Sequence, residues 1–123
     1  MRIFAVTIDC SDPHRLARFY QSLLGGSIAV TNDAFAALTV DEGPRVDFQR
    51  VDNYRAPAWP DPDNPAQLHL DLVVENLDEA ERRATAVGAS KADHQPGGAR
   101  FRVFIDPEGH PFCLVTPAAA SIG

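Results

Sequence analysis

The sequence predicts an α+β fold built from two βαβββ modules, on three observations. Stretches of alternating apolar and polar residues flank stretches with helical spacing, in the order strand, helix, strand, hairpin, and that order occurs twice. The halves align when 64 is added to the first, so that Ala5 falls on His69, Asp12 on Asn76, Phe48 on Phe112 and Gln49 on Cys113. Between them lies a proline-rich segment that suits neither a helix nor a central strand. The 123 residues are expected to form a single domain, or two small modules sharing a core, with module one at 3–52, a linker at 53–66, module two at 67–116 and a loose tail at 117–123.

Module one opens with a strand, Ile3 to Cys10, in which Phe4, Val6, Ile8 and Cys10 form the apolar face. Ser11-Asp12-Pro13 starts a helix: Ser or Asp can cap it, and proline fits the first turn, where its missing N–H costs nothing. Leu16, Phe19, Tyr20, Leu23 and Leu24 recur at helical spacing, and Gly25-Gly26 ends the run. Ser27 to Val30 is a short strand. Phe35 to Val40 and Val46 to Val51 form a hairpin around Asp41-Glu42-Gly43-Pro44. The linker carries Pro57, Pro60, Pro62 and Pro65, and its Tyr54 and Trp59 are expected to tack it down or to flap over a cleft.

Module two opens at Gln67-Leu68-His69-Leu70-Asp71-Leu72-Val73-Val74. Its leucines and Val74 form one face, and His69, Asp71 and Val73 the other. Asn76 and Glu79 make a capping pattern before a stripe of Leu77, Ala80, Ala84 and Val87, closed by Gly88. A weak strand follows around Ser90 to His94, then a loop at Gln95-Pro96-Gly97-Gly98-Ala99. A hairpin of Arg100 to Ile105 and Phe112 to Thr116 turns at Asp106 to His110.

Each module leaves one sheet face without a helix, so the two sheets are expected to form a curved mixed sheet around a shared cleft. Pleating turns Ala5, Thr7 and Asp9 toward that cleft from module one, and His69, Asp71 and Val73 from module two. In the last strands Phe48, Phe112 and Leu114 go to the helices, while Gln49, Cys113 and Val115 face the cleft. Two equivalent pairs result, Ala5 with Gln49 and His69 with Cys113. His69 and Asp71 are the candidate catalytic residues, as general base and orienter. Gln49, His69, Asp71, Cys113, Trp59 and Phe104 are the candidate ligand-binding residues. His69 and Gln49 are the candidate metal ligands, an incomplete set because Ala5 has no donor atom. A divalent metal is therefore a possible cofactor but not the favoured one. His14, His94 and His110 are read as solvated, and Arg100 and Arg102 as a solvated strand face.

A net charge of −6 and a pI near 5.0 repel phosphate backbones and exclude nucleic acid as a natural partner. No apolar run is long enough for a bilayer, and the N-terminus carries no secretory pattern, so no membrane association is expected. Cys10 and Cys113 sit in strand-like segments outside any Cys-x-x-Cys pair, which predicts two buried free thiols in a cytoplasmic protein.

Several phrases resemble one superfamily: Asp12-Pro13, Leu16-Ala17-Arg18-Phe19-Tyr20 to Leu23-Leu24-Gly25, His69-Leu70-Asp71-Leu72, and Asp106-Pro107-Glu108-Gly109-His110-Pro111-Phe112-Cys113-Leu114. Spread from Ile3 to about Thr116, they are similar to the vicinal oxygen chelate superfamily of glyoxalases, bleomycin-resistance proteins and dioxygenases, and within it to glyoxalase-like domain proteins. The resemblance implies metal ligands at the inward positions of the first and last strands, here Ala5, Gln49, His69 and Cys113. Ala5 departs from that pattern, and Cys113 stands where a glutamate is usual. It also implies a homodimer. The expectation is a cytoplasmic protein that binds a small organic ligand, a metabolite or an antibiotic-like molecule. The alternative is a metal-assisted lyase, isomerase or dioxygenase with an atypical metal site.

Overall fold

In the computed structural model, which describes residues 1–121, the expected element order is present twice. The elements are β1 (Ala5–Cys10), α1 (Pro13–Leu24), β2 (Ser27–Asn32), β3 (Phe35–Thr39) and β4 (Arg45–Arg50), then β5 (Leu70–Val73), α2 (Leu77–Ala86), β6 (Ser90–Lys91), β7 (Phe101–Ile105), β8 (Pro111–Val115) and α3 (Pro117–Ala120). Two four-stranded mixed sheets result, ordered β1-β4-β3-β2 and β5-β8-β7-β6. The chain divides into two compact units, Met1–Ala56 and Pro57–Gly123, with the break inside the proline-rich segment.

In the first unit β1 runs parallel to β4, which is antiparallel to β3. Parallel neighbours need a long crossover, and α1 with the β2-β3 hairpin supplies it. The Asp12 carboxylate accepts the Arg15 N–H at 3.1 Å and caps α1, with Pro13 in the first turn. The helix then buries Leu16, Ala17, Phe19 and Tyr20 on one sheet face. There Tyr20 stacks on Phe48 with ring centroids 5.7 Å apart, and Ile8, Cys10, Ala36 and Leu38 close the core.

The second unit repeats this plan with a thinner helix contact. Asn76 caps α2 by accepting the Glu79 N–H at 2.9 Å, but among α2 residues only Ala84 is buried. The core lies mainly in β7 and β8, where Phe104 and Phe112 stack at 5.9 Å, both fully buried. Ion pairs hold the helix rim: Arg102 on β7 reaches Asp78 and Glu81 at 2.9 and 3.1 Å, and Lys91 reaches Glu81 at 3.1 Å. The expected solvated face of Arg100 and Arg102 thus becomes, at Arg102, an anchor for α2.

Four expectations are corrected. The strand expected from Gln67 begins only at Leu70, because Gln67 adopts φ 70° and turns the chain; Leu68, assigned to the core, is 63% exposed. The tail at 117–121 opens with a one-turn helix, α3, capped by Thr116; Ile122 and Gly123 lie outside the described residues. His110 is not a solvated turn residue, since its Nδ1 lies 2.9 Å from the buried Asp106 carboxylate.

The fourth correction concerns the repeat. Parallel partners lie 40 residues apart in the first unit, as Asp9 with Gln49, and 42 apart in the second, as Asp71 with Cys113. Cys113 therefore corresponds to Asp47, whose strand partner is Thr7, and not to Gln49. The surplus sits in the second hairpin: Ser27 pairs with Thr39 across 12 residues, whereas Ser90 pairs with Ile105 across 15. The net slip is even, so the sheet sides expected for the residues of β4, β5 and β8 survive it.

Gly26, at the turn from α1 into β2, holds φ 89°, and a Cβ there would overlap the Thr39 carbonyl oxygen. Gly26→Ala should lower stability by about 1–3 kcal/mol from backbone conformation alone, with the overlap added. Urea unfolding of the two proteins checks this; an unchanged midpoint would contradict the turn described.

Candidate functional site

The face of the second sheet opposite α2 carries the polar cluster. Pleating puts His69 and Asp71 on the same side, and the β5-β8 register sets Cys113 directly beside Asp71. His69 Nε2 lies 3.2 Å from Asp71 Oδ1, with the two side chains 47% and 62% exposed. Cys113 is buried, and the Asp71 carboxylate beside it on β5 disfavours its thiolate. One ligating atom from each of the three side chains lies within 4.8 Å of the others. His69 itself precedes β5, just past the turn at Gln67 that directs it onto this face.

Burial, then the neighbouring Asp71 charge and hydrogen bond, push the Cys113 thiol up to about 12. The thiolate is the reactive form of cysteine, so Cys113 is a poor nucleophile and a good hydrogen-bond donor to Asp71. The exposed imidazole offers either a donor or an acceptor, and Asp71 accepts. Val73, 63% exposed, adds apolar surface on the same face.

The remaining expected residues scatter. Gln49 is exposed on β4 of the first unit, between Asp9 and Phe35. Phe104, expected to line a ligand, is fully buried against Phe112 because Arg102 and Phe104 alternate onto the helix side of β7. Trp59 is half-buried with its ring 5.5 Å from that of His94, and the two help to line a pocket of about 320 Å³. His94, expected to be solvated, is exposed, and its place beside Trp59 carries no periodic signal in the sequence.

The family description "Glyoxalase-like domain" matches residues 5–115. The chain belongs to that family. This glyoxalase-like domain shares its fold with solved structures of low sequence identity. It is similar to a glyoxalase-related enzyme from Fulvimarina pelagi at 20% identity and TM-score 0.70, covering 100% of this chain and 93% of that one. It is also similar to a glyoxalase/bleomycin resistance protein/dioxygenase family enzyme from Burkholderia phytofirmans, at 17% identity and TM-score 0.69, covering 91% and 95%. A fosfomycin resistance protein from Mesorhizobium loti aligns at 13% identity and TM-score 0.68, covering 99% and 92%. No curated protein matches the sequence significantly. Among the described residues no helix is long and apolar enough to cross a membrane.

The family implies a divalent metal, and the donor set of this glyoxalase-like domain bears on it. One imidazole nitrogen, one carboxylate oxygen and one sulfur match, in number and type, the three protein ligands of an open zinc site. Ala5 offers no donor, and Gln49 offers a neutral amide.

Two outcomes follow from the cluster. Peptide-resolved alkylation at about pH 8 should find Cys113 at least tenfold slower than free cysteine, with Asp71→Asn speeding it up by removing the charge that disfavours thiolate. Equal rates in the two proteins would contradict the contact. The second outcome concerns stability. An unfolded thiol titrates near 9.0 and the folded one near about 12. Between those values the unfolded chain has lost a proton that the folded chain keeps, so stability should fall as pH rises through that window. Denaturation of wild type and Cys113→Ala across it should show the steeper fall in wild type.

Proposed function

We propose that this glyoxalase-like domain binds a small organic molecule, a metabolite or an antibiotic-like compound, on the open face of its second sheet. The observation that carries the reading is the exposed His69–Asp71 pair, backed by the buried Cys113 thiol. An imidazole and a carboxylate fixed on a strand orient a ligand by hydrogen bonds, and Val73 supplies apolar contact. The fold shared with a fosfomycin resistance protein supports this ligand class. The two free cysteines support a cytoplasmic setting. A homodimer, which the family likeness suggests, belongs to the same proposal and is read by light scattering.

A second reading, a metal-assisted lyase, isomerase or dioxygenase, is favoured by the three converging donors. His69, Asp71 and Cys113 would hold a divalent ion there, and such an ion supplies Lewis acidity. In that setting His69 and Asp71 position the substrate through whatever hydrogen-bonding capacity the ion leaves them.

A thermal-shift screen of metabolites and antibiotics, followed by calorimetry, tests the first reading. A saturating ligand recovered unchanged is expected, and His69→Ala should weaken it about five- to thirtyfold, the loss of roughly 1–2 kcal/mol. Binding indifferent to both His69→Ala and Asp71→Asn would sink this site. Elemental analysis of protein purified without added metal separates the readings. Near one equivalent of a divalent ion, lost in His69→Ala, together with a consumed ligand, would replace the first reading by the second.

A further inference from the structure

The pocket beside Trp59 belongs to a different part of the second unit from the His69 cluster. In the sheet order β5-β8-β7-β6, the cluster sits on β5 and β8, whereas the pocket opens at the far edge, on β6 and the residues that follow it. β6 is only two residues long, so the sheet edge there is short, and Trp59-Pro60 from the proline-rich segment helps to line the pocket alongside it. Hydrogen bonds within that segment shape it: Asp61 N–H bonds the Ala58 carbonyl at 2.7 Å, and Ala58 N–H bonds the Asn64 carbonyl at 3.0 Å. The half-buried Ile105 gives the pocket an apolar lining, and its volume of about 320 Å³ lies at the small end of ligand sites.

The charges around the pocket are unequal in availability. Lys91 is already paired with Glu81 at 3.1 Å, so its charge is offset. Asp93 is exposed and forms no ion pair among the described residues. The local surface therefore joins an indole, the side chain best suited to bind a cation over its face, to an available carboxylate. A net charge of −6 on the chain adds a field of the same sign.

We propose that the Trp59–Asp93–His94 pocket is a second binding site, separate from the His69 cluster, that takes small organic cations of the amine or quaternary ammonium class. The cation lies against the Trp59 indole, Asp93 supplies the opposing charge, and His94, tilted 41° to Trp59, forms another wall.

Trp59 is the chain's one tryptophan, so its fluorescence reports on this pocket alone. The test titrates the whole protein with benzyltrimethylammonium, benzyl alcohol and benzoate at constant ionic strength and about pH 8, above the ordinary range of imidazoles. A saturable change is expected for the cation alone, with an apparent Kd in roughly the millimolar range. Asp93→Asn, an exposed change that leaves the core untouched, should weaken it roughly two- to fivefold. His69→Ala should leave it unaltered. The proposal fails if benzoate or benzyl alcohol binds as well as the cation. It fails equally if no saturation occurs below about 50 mM, if Asp93→Asn has no effect, or if His69→Ala abolishes the response.

Discussion

Parallel pairing of the first and last strand of each unit is the constraint on which the rest of the structure depends. A parallel neighbour cannot be reached by a tight turn, so a helix and a hairpin must intervene, and the last strand enters between the first strand and that hairpin. The strand in that position, β4 or β8, is bonded on both sides and carries a fully buried phenylalanine, Phe48 or Phe112. Its alternate side chains go to the opposite face. The register alone then decides which residue lies beside which, and in the second unit it sets Asp71 against Cys113.

The same scaffold is furnished differently in the two units. At the place of Asp71 and Cys113 the first unit has Thr7 and Asp47. Asp47 is buried and receives two hydrogen bonds from Arg45, at 2.7 and 2.8 Å, while the guanidinium also covers the Phe4 ring at 4.4 Å. Its acceptors are taken by a partner two residues away on the same strand. In the second unit the carboxylate is the exposed member and the buried member is a weak donor. The first arrangement is closed on itself. The second leaves an imidazole and a carboxylate open to a visitor.

Period and punctuation carried most of the fold into view. The alternation in β1 and the caps at Asp12 and Asn76 are local chemistry, legible in single residues, and the structure has both caps in place. The sheet sides of the first and last strands were legible too, because an even slip cannot invert them. The slip itself was hidden: it comes from three added residues in the β6-β7 hairpin and one lost before it, and no local pattern marks where a loop lengthens. Hence the partnership of Gln49 with Cys113 was misjudged while the side they face was not. Phe104 was misplaced because both faces of β7 carry large apolar residues, Phe101 and Ile105 against Phe104, and alternation cannot rank them. The pocket at Trp59 depends on how a proline-rich segment folds back against its own unit, which is tertiary information.

On the binding reading, the proton arrangement of the cluster sets what kind of molecule it takes. Asp71 lies beside both the Cys113 thiol and His69, and a carboxylate has more lone-pair sites than two such neighbours can fill. The thiol is held as a donor by burial and by the carboxylate, so it keeps its proton and offers Asp71 no competition as an acceptor. A ligand that brings a hydroxyl or ammonium hydrogen to Asp71 completes the set, and the half-exposed imidazole can serve a neighbouring group of either polarity. A ligand carrying only a carboxylate meets Asp71 with like charge and must rely on His69 alone. On the binding reading, the face therefore selects for molecules that combine a hydrogen-bond donor with an adjacent acceptor, and Val73 limits how polar the remainder can be.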